Sequence, residues 1–400
     1  MKNESPKYRF DKFNENWIIV KLSDIACHYK TGGTPSTKDP TFWGGAIPWI
    51  QSSDIQKDRL FGVIPQKFIS EEGLQNSTAK LIPKNSIAIV TRVGVGKLAI
   101  IDQDYTTSQD FLSLSDFNGD TQFIAYSIYR MLQKESTQLQ GTSIKGITKE
   151  DLLLKKISLP EIEEQSAIGS LFRTLDNLLS SYKDNLANYQ SLKATMLSKM
   201  FPKAGQNVPE IRLDGFEGEW EIKRADEIFK SVSEKNKAFL PVLSASQIDG
   251  MVLRDEIDIN IKYDEATLNN YKVVKPGQFV IHLRSFQGGF ALSKLEGITS
   301  PAYTIIDFID KENNLSDFWN SILTSRDFIK RLETVTYGIR DGKSISFKDF
   351  SSLKFVFPEF KEQQAIGAYF SNLDNLINSY QEKISQLVIL KKKLLQDMFI

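Results

Sequence analysis

The sequence predicts an α+β protein built twice: two globular mixed α/β domains separated by two long antiparallel coiled-coil helices, with an internal pseudo-two-fold duplication. Three observations carry that expectation. Residues 164–178, EQSAIGSLFRTLDNL, return at 362–376 as EQQAIGAYFSNLDNL, with ten of fifteen positions identical. Each copy begins a proline-free stretch, 161–201 and 359–400, with apolar residues at heptad steps. Before each stretch lie segments that mix strand and helix signals, so the globular parts are not all-α.

The elements follow in chain order. The first domain is expected over 1–160, with strand candidates at 86–91, 97–101, 110–115 and 153–159 and a helix at 121–135. A central helix follows over 161–205. Pro160 closes a β-like run, and Glu161, Glu163 and Glu164 put acids in a first turn, where the helix dipole favours them. Its seam reads Leu175, Leu179, Tyr182, Leu186, Tyr189, Lys193, Met196 and Met200. The second domain is expected over 206–357, with strands at 278–283, 302–308 and 353–357 and helix at 315–333. Its opening, Pro209 to Trp220, resembles Pro6 to Trp17. The last helix, 358–400, repeats the seam as Leu373, Ile377, Tyr380, Ile384, Leu387, Lys391, Leu394 and Met398. At 1.5 Å per residue each helix spans about 55–60 Å. Lys193 and Lys391 fall at the same seam step. They would face each other in a parallel pair and lie toward opposite ends of an antiparallel one, which favours the antiparallel arrangement. The rival is two amphipathic helices that each pack only on their own domain.

Composition narrows the function classes. Lys and Arg number 50, as do Asp and Glu, so any nucleic-acid surface must be a local patch. One cysteine, Cys27, excludes internal disulfides and thiolate metal clusters within a chain. Two histidines, His28 and His282, leave little for a metal site or a Ser-His-Asp triad. No apolar run is long enough for a membrane span, and the first ten residues lack a signal-peptide pattern. The expectation is a cytosolic chain with no membrane partner.

Local charge is uneven. No acid lies between Glu72 and Asp102, a window holding Lys80, Lys84, Arg92 and Lys97. None lies between Glu265 and Glu296, a window holding Lys272, Lys275, Arg284 and Lys294. Such windows suit phosphate contact, against the plainer reading of strands with solvated lysines. Upstream sit Gln51, Ser53 and Asp54 in one half and Ser244, Ser246 and Gln247 in the other. These side chains suit both base edges and turn caps. Lys145 and Lys343 sit in Gly/Ser-rich segments that fit a phosphate grip or a simple turn. The candidate nucleic-acid residues are therefore Gln51, Ser53, Arg92, Lys97 and Lys145, then Ser246, Arg284, Gln287, Lys294 and Lys343.

Catalytic motifs do not assemble. Val93-Gly-Val-Gly-Lys97 lacks P-loop spacing. Ser300-Pro-Ala-Tyr303 resembles an amino-methyltransferase tetrapeptide, but Ala302 replaces its second proline and no Gly-rich cofactor loop accompanies it. Cys27 and His28 are adjacent, so they cannot face each other on a strand or helix. Neither a catalytic nor a metal site is expected.

Thr31-Gly-Gly-Thr-Pro-Ser36, Phe42-Trp-Gly-Gly-Ala-Ile-Pro-Trp49 and the junction Gly141-Thr-Ser-Ile-Lys-Gly-Ile147, Leu159-Pro160, Glu164-Gln-Ser-Ala-Ile168 resemble specificity subunits of type I restriction–modification enzymes. The likeness runs over essentially the whole chain. The second domain lacks the GGTPS string and resembles a different recognition subtype. The resemblance implies two target-recognition domains, each reading half of a split, asymmetric site in double-stranded DNA. It implies two methyltransferase subunits bringing S-adenosylmethionine, and restriction subunits, when present, bringing ATP and Mg, with no cofactor in this chain. In that picture Leu175, Tyr182, Leu186, Leu373, Tyr380 and Ile384 hold the spacer. Half-sites about one DNA turn apart, ~34–36 Å, suit two related modules. A coiled-coil scaffold without a DNA role and a fused enzyme acting alone are the rival classes.

Overall fold

The computed structural model describes residues 6–138, 146–246, 249–256, 265–282, 289–333 and 346–400. Two compact units emerge, one from residues 1–185 with 380–400 and one from 186–379. Their limits cut through both long helices rather than stopping where the helices begin.

In the first unit the order is β1 (Ile18–Lys21), α1 (Leu22–Ile25), β2 (Ala26–Thr31), β3 (Trp43–Ile50), β4 (Lys67–Ile69) and α2 (Glu71–Gln75). Then come β5 (Ser86–Val90), β6 (Leu98–Ile101), β7 (Thr106–Thr107), β8 (Phe111–Phe117) and α3 (Thr121–Gln138). After α4 (Lys149–Leu154) and β9 (Lys156–Leu159), the long α5 (Ile162–Lys199) leaves this unit for the next. The second domain opens with β10 (Glu221–Arg224), α6 (Ala225–Ile228), β11 (Phe229–Val232), β12 (Leu243–Ser246) and β13 (Gly250–Leu253). It continues with β14 (Lys272–Val274), β15 (Phe279–Ile281), β16 (Phe290–Leu292), β17 (Gly297–Thr299) and β18 (Thr304–Phe308). Helices α7 (Ser316–Leu323), α8 (Arg326–Glu333) and α9 (Phe347–Ser351), strand β19 (Lys354–Phe357) and the long α10 (Phe360–Asp397) complete it.

The duplication is legible in the topology. Each domain has a four-stranded sheet, ordered β2-β8-β5-β6 in one and β11-β18-β15-β16 in the other. In each, a strand just after the N-terminal segment pairs antiparallel with the strand before the long helix, β1 with β9 and β10 with β19. The second layers differ: β4-β3-β7 in the first domain, β12-β13 and β14-β17 in the second. One apolar face of each four-stranded sheet packs on α3 or α7, because Ile87, Ile89, Phe279 and Ile281 alternate inward with the strand period of two.

The repeated junctions meet their own N-terminal segments. Arg9 grips the fully buried Glu164 through two hydrogen bonds of 2.8 and 2.7 Å, and Arg212 grips Glu362 identically. Gln165 and Gln363 donate to the Pro160 and Pro358 carbonyls at 2.8 and 3.0 Å. The acidic first turn therefore does more than favour a helix start: one glutamate per copy is a buried ion-pair partner.

Two strand boundaries move. The candidate 153–159 begins inside α4, which Thr148 caps at the Asp151 N–H (3.0 Å), so the strand starts at Lys156. The single helix expected over 315–333 is α7 and α8, because Ser325 accepts the Phe328 N–H and starts a new helix.

The long helices run antiparallel within each unit. In the first, Phe172 meets Phe399 (5.4 Å between ring centres), Asp176 pairs with Lys391, and Tyr182 meets Tyr380 (5.6 Å). Residue numbers rise on α5 as they fall on α10. In the second, Lys193 pairs with Asp374 and Phe201 stacks on Phe370 at 6.0 Å. Leu175, Leu179, Leu373 and Ile377 are buried, while Tyr182, Leu186, Tyr380 and Ile384 are half-buried. The seam ends merge into the domain cores, since Leu175 packs with α3 and Leu373 with α7. Seam pairing and packing on the domains thus coexist. No described helix is long and apolar enough to cross a membrane.

Candidate nucleic-acid interface

In the first domain, strand ends gather several loops at one edge. Strand β5 ends at Val90, opposite Phe111 at the start of β8. The Thr91 N–H donates to the Asp110 carbonyl (2.7 Å), and the Ser108 N–H to the Ile50 carbonyl (3.0 Å). These bonds place the segments after β3, after β5 and before β8 side by side. The chain returns there at Ile147, whose N–H donates to Thr91 (2.8 Å).

Gln51 and Ser53 sit on the segment after β3. Its turn is held by Asp54, which accepts the Gln51 N–H at 3.0 Å. Arg92 and Lys97 bracket the loop closing the β5–β6 hairpin. Gly94 and Gly96 take φ of +89° and +92° there, a conformation that favours glycine. Arg92 is exposed, and Lys97 Nζ donates to the Ser52 carbonyl at 3.2 Å. Four sequence-derived candidates therefore share one edge, supplying a guanidinium, an ammonium, an amide and a hydroxyl. That set can neutralise phosphates and bond base edges. Lys145 lies outside the described residues.

The Gly32-Gly33 pair packs against this edge. A Cβ on Gly32 would fall 2.1 Å from the Ser108 carbonyl oxygen, and one on Gly33 2.2 Å from that of Thr78. Only glycine permits this approach. Gly33 then accepts the Trp49 indole N–H at 2.9 Å, and Thr34 donates to Gln109 Oε1 at 2.8 Å. Thr34 and the exposed Gln109 are further polar groups here that sequence reasoning missed; the GGTPS string was the available signal.

The window around Arg92 is free of acids in sequence but not in space. Asp54, Asp58 and Asp110 enter from other segments. The edge is mixed in charge rather than uniformly basic.

The second domain arranges its candidates differently. Val242 makes a parallel bridge to Ile298, as Trp49 does to Thr106, so the two upstream fragments are structural counterparts. Past that point the first domain turns, while the second runs on as β12 and folds back as β13. Ser246 is carried to that hairpin's tip, where its hydroxyl donates to Asp249 (3.1 Å). Lys294 is exposed but follows β16, at the open end of the β15–β16 hairpin. His282 and Gly289 close the other end with a 3.1 Å bond, about three strand residues or ~10 Å away. Lys97 and Lys294 thus occupy opposite ends of equivalent hairpins. The acid-free window is longer than the hairpin and spills over both ends. Arg284, Gln287 and Lys343 lie outside the described residues.

Two other lysines of that window are committed internally. Lys272 donates to the Tyr303 carbonyl (2.6 Å), and burial pulls its pKa down. Lys275 pairs with Glu234 at 2.8 Å. Hydrogen bonds from Lys237 and Lys275 hold the exposed Glu234 carboxyl at about 2. Arg254, which sequence reasoning missed, donates to Ser244 at 2.8 Å. Burial lowers the His282 pKa, and its ring lies edge-on to Tyr303 at 6.0 Å between centres.

The other flagged motifs lie on a turn and a strand. Ser300 to Tyr303 is a turn closed by a 3.1 Å bond from the Tyr303 N–H to the Ser300 carbonyl. Cys27 is exposed on β2, and the neighbouring His28 pairs with Asp116 at 2.7 Å.

Comparison with known proteins adds a family. A family model described as "Type I restriction modification DNA specificity domain" matches residues 14–188 and again 217–388. The type I restriction enzyme MjaIX specificity subunit of Methanocaldococcus jannaschii is 25% identical over 56% of this chain and 54% of its own length. The match therefore spans about half of that relative. The MjaVIII specificity subunit of the same organism is 23% identical over 95% of this chain and 91% of its own length. A crystal structure of the type I restriction–modification S subunit from M. genitalium has the same fold, with TM-score 0.64, 16% identity and 99% coverage of both chains.

Proposed function

The chain belongs to the family of type I restriction modification DNA specificity domains, and on that premise we propose that it is the DNA-recognition subunit of a type I restriction–modification complex. Each globular domain reads one half of a split, asymmetric site in double-stranded DNA. Two methyltransferase subunits dock on the chain and supply S-adenosylmethionine. Restriction subunits, where present, supply ATP-driven chemistry with Mg. The chain itself contributes binding and geometry rather than catalysis, and it works in the cytoplasm.

One observation carries this reading. The frame of the two halves is the same down to the Arg9–Glu164 and Arg212–Glu362 pairs, while the second layers and edge loops differ. A constant frame with divergent edges suits two modules that bind one kind of polymer and read different sequences. Phosphate contacts would set position, and the divergent loops would set base preference.

The test is adenine-methylome sequencing of a host carrying this gene with its methyltransferase partner, against a deletion of the gene. A split motif methylated on both strands and lost on deletion is expected. An unchanged methylome, with the methyltransferase present and bound to the chain, overturns the reading.

A further inference from the structure

Asp58 lies on the segment that carries Gln51 and Ser53, and the long helices hold it from behind. Its backbone has φ of +65°, in the left-handed region that aspartate enters more readily than most side chains. Tyr129 of α3 donates its hydroxyl to the Asp58 carboxylate. Lys391 of α10 donates to the Asp58 carbonyl at 3.3 Å and pairs with Asp176 of α5. The other Asp176 oxygen accepts the Tyr126 hydroxyl at 2.5 Å. All five residues belong to the first unit.

The tie reaches the candidate reading edge. Asp58, Tyr129, Gly94, Gly96 and Lys97 wall one cavity of about 160 Å³. Lys97 in turn holds the Ser52 carbonyl. From Lys391 to Ser52 the path runs through one short segment of chain and one lysine.

We infer that Lys391, Asp176 and Tyr129 are positioning residues for base recognition by the first domain: they fix the 51–60 segment against the long-helix pair. This inference rests on the chain being a DNA-specificity subunit. It is confined to one half. Phe123 packs on Trp17 and Phe399 as Phe318 packs on Trp220 and Phe201, which sets the equivalence of α3 and α7. By that equivalence Tyr126 and Tyr129 correspond to Ser321 and Thr324. Those hydroxyls bond their own helix, at the Asp317 and Asn320 carbonyls, 3.2 and 2.6 Å away. The counterpart ion pair, Lys193–Asp374, carries no tyrosine from α7.

The experiment uses the full chain assembled with its methyltransferase subunits. The wild-type methylation motif is read first. Competition binding then uses duplexes altered one base pair at a time in each half-site. Lys391→Met strands a buried carboxylate and threatens the fold of its unit, so Tyr129→Phe, which keeps the ring, carries the test. Both variants are expected to weaken discrimination at the same half-site by about 5–10-fold, the worth of one hydrogen bond. The other half-site stays as in wild type, Lys391→Arg restores discrimination, and Lys193→Met changes neither half. Unchanged or evenly reduced discrimination with Tyr129→Phe overturns the inference and leaves the functional reading standing. A wild-type complex with no split motif overturns the reading and the inference with it.

Discussion

Lys391–Asp176 and Lys193–Asp374 are the same ion pair by sequence repeat, yet they live in different surroundings. In the first unit the two side chains are 8% and 7% exposed; in the second they are 30% and 44% exposed. Tyr126 and the Asp58 segment cover the first pair, while the α7 positions equivalent to Tyr126 and Tyr129 hold Ser321 and Thr324, which bond their own helix. The seam decides that lysine meets aspartate. The neighbouring helix decides whether water does too. A buried pair is costly to break because each partner left alone is a desolvated charge, whereas an exposed pair gives its partner back to solvent.

The sharpest way to break the comparison is to remove one lysine at a time. Lys391→Met should cost about 3–5 kcal/mol. Lys193→Met should cost ~0–1 kcal/mol. Urea unfolding of the full chain, followed by hydrogen exchange within each unit, checks both; equal losses would mean that burial does not govern the pair. The junction pairs should behave alike instead. Glu164 and Glu362 are both fully buried, so Arg9→Ala and Arg212→Ala should each destabilise their own unit by about 3 kcal/mol.

A gentler probe is pH, with an alkaline limb expected in the first unit and an acid limb in the second. Burial, then the Asp176 and Asp58 carboxylates, pushes the Tyr126 and Tyr129 hydroxyls above their ordinary value of 10.0. A raised pKa gives stability that is full below 10 and is lost as pH rises beyond it, so the first unit should loosen in alkali. In the second, lysine hydrogen bonds hold Glu210 and Glu234 at about 2, below the ordinary 4.5. That stability is present above 4.5 and lost as pH falls toward 2. Hydrogen exchange across pH 2–11 reads both limbs; a first unit that does not loosen in alkali, or a second that does not loosen in acid, would contradict the assignment. The smallest effect is expected at the edges. Lys97→Ala should weaken DNA binding several-fold through one lost phosphate contact, and Lys294→Ala should leave it nearly unchanged. Salt-titrated binding of the assembled complex separates them, the slope falling by about one for Lys97 alone.

Much of the frame is legible in the sequence because repetition and periodicity are local records of burial. The repeat at 164–178 and 362–376 marked the junctions, and the heptad steps marked α5 and α10 nearly to their ends. Glu164 and Glu362 were visible only as first-turn acids, since nothing in their spacing reveals that Arg9 and Arg212 arrive from 155 and 150 residues away. The edge of the first domain was half legible. Gln51, Ser53, Arg92 and Lys97 do converge, but Asp54, Asp58 and Asp110 come with them, because strand ends collect residues by topology rather than by charge. The second edge was less legible. A segment that merely turns after Ile50 becomes a hairpin after Leu243, and that moves Ser246.

By itself, then, the sequence determined the duplicated frame and favoured the antiparallel sense of the long helices. These follow from patterns that act over a few turns of helix or alternate residues of strand. Only the tertiary structure decided which acids neighbour which bases, that Lys97 and Lys294 leave opposite ends of their hairpins, and that one of two equivalent ion pairs is sealed from water. Those outcomes depend on which distant segments share a strand end or a helix face, and a spacing along the chain carries no record of that.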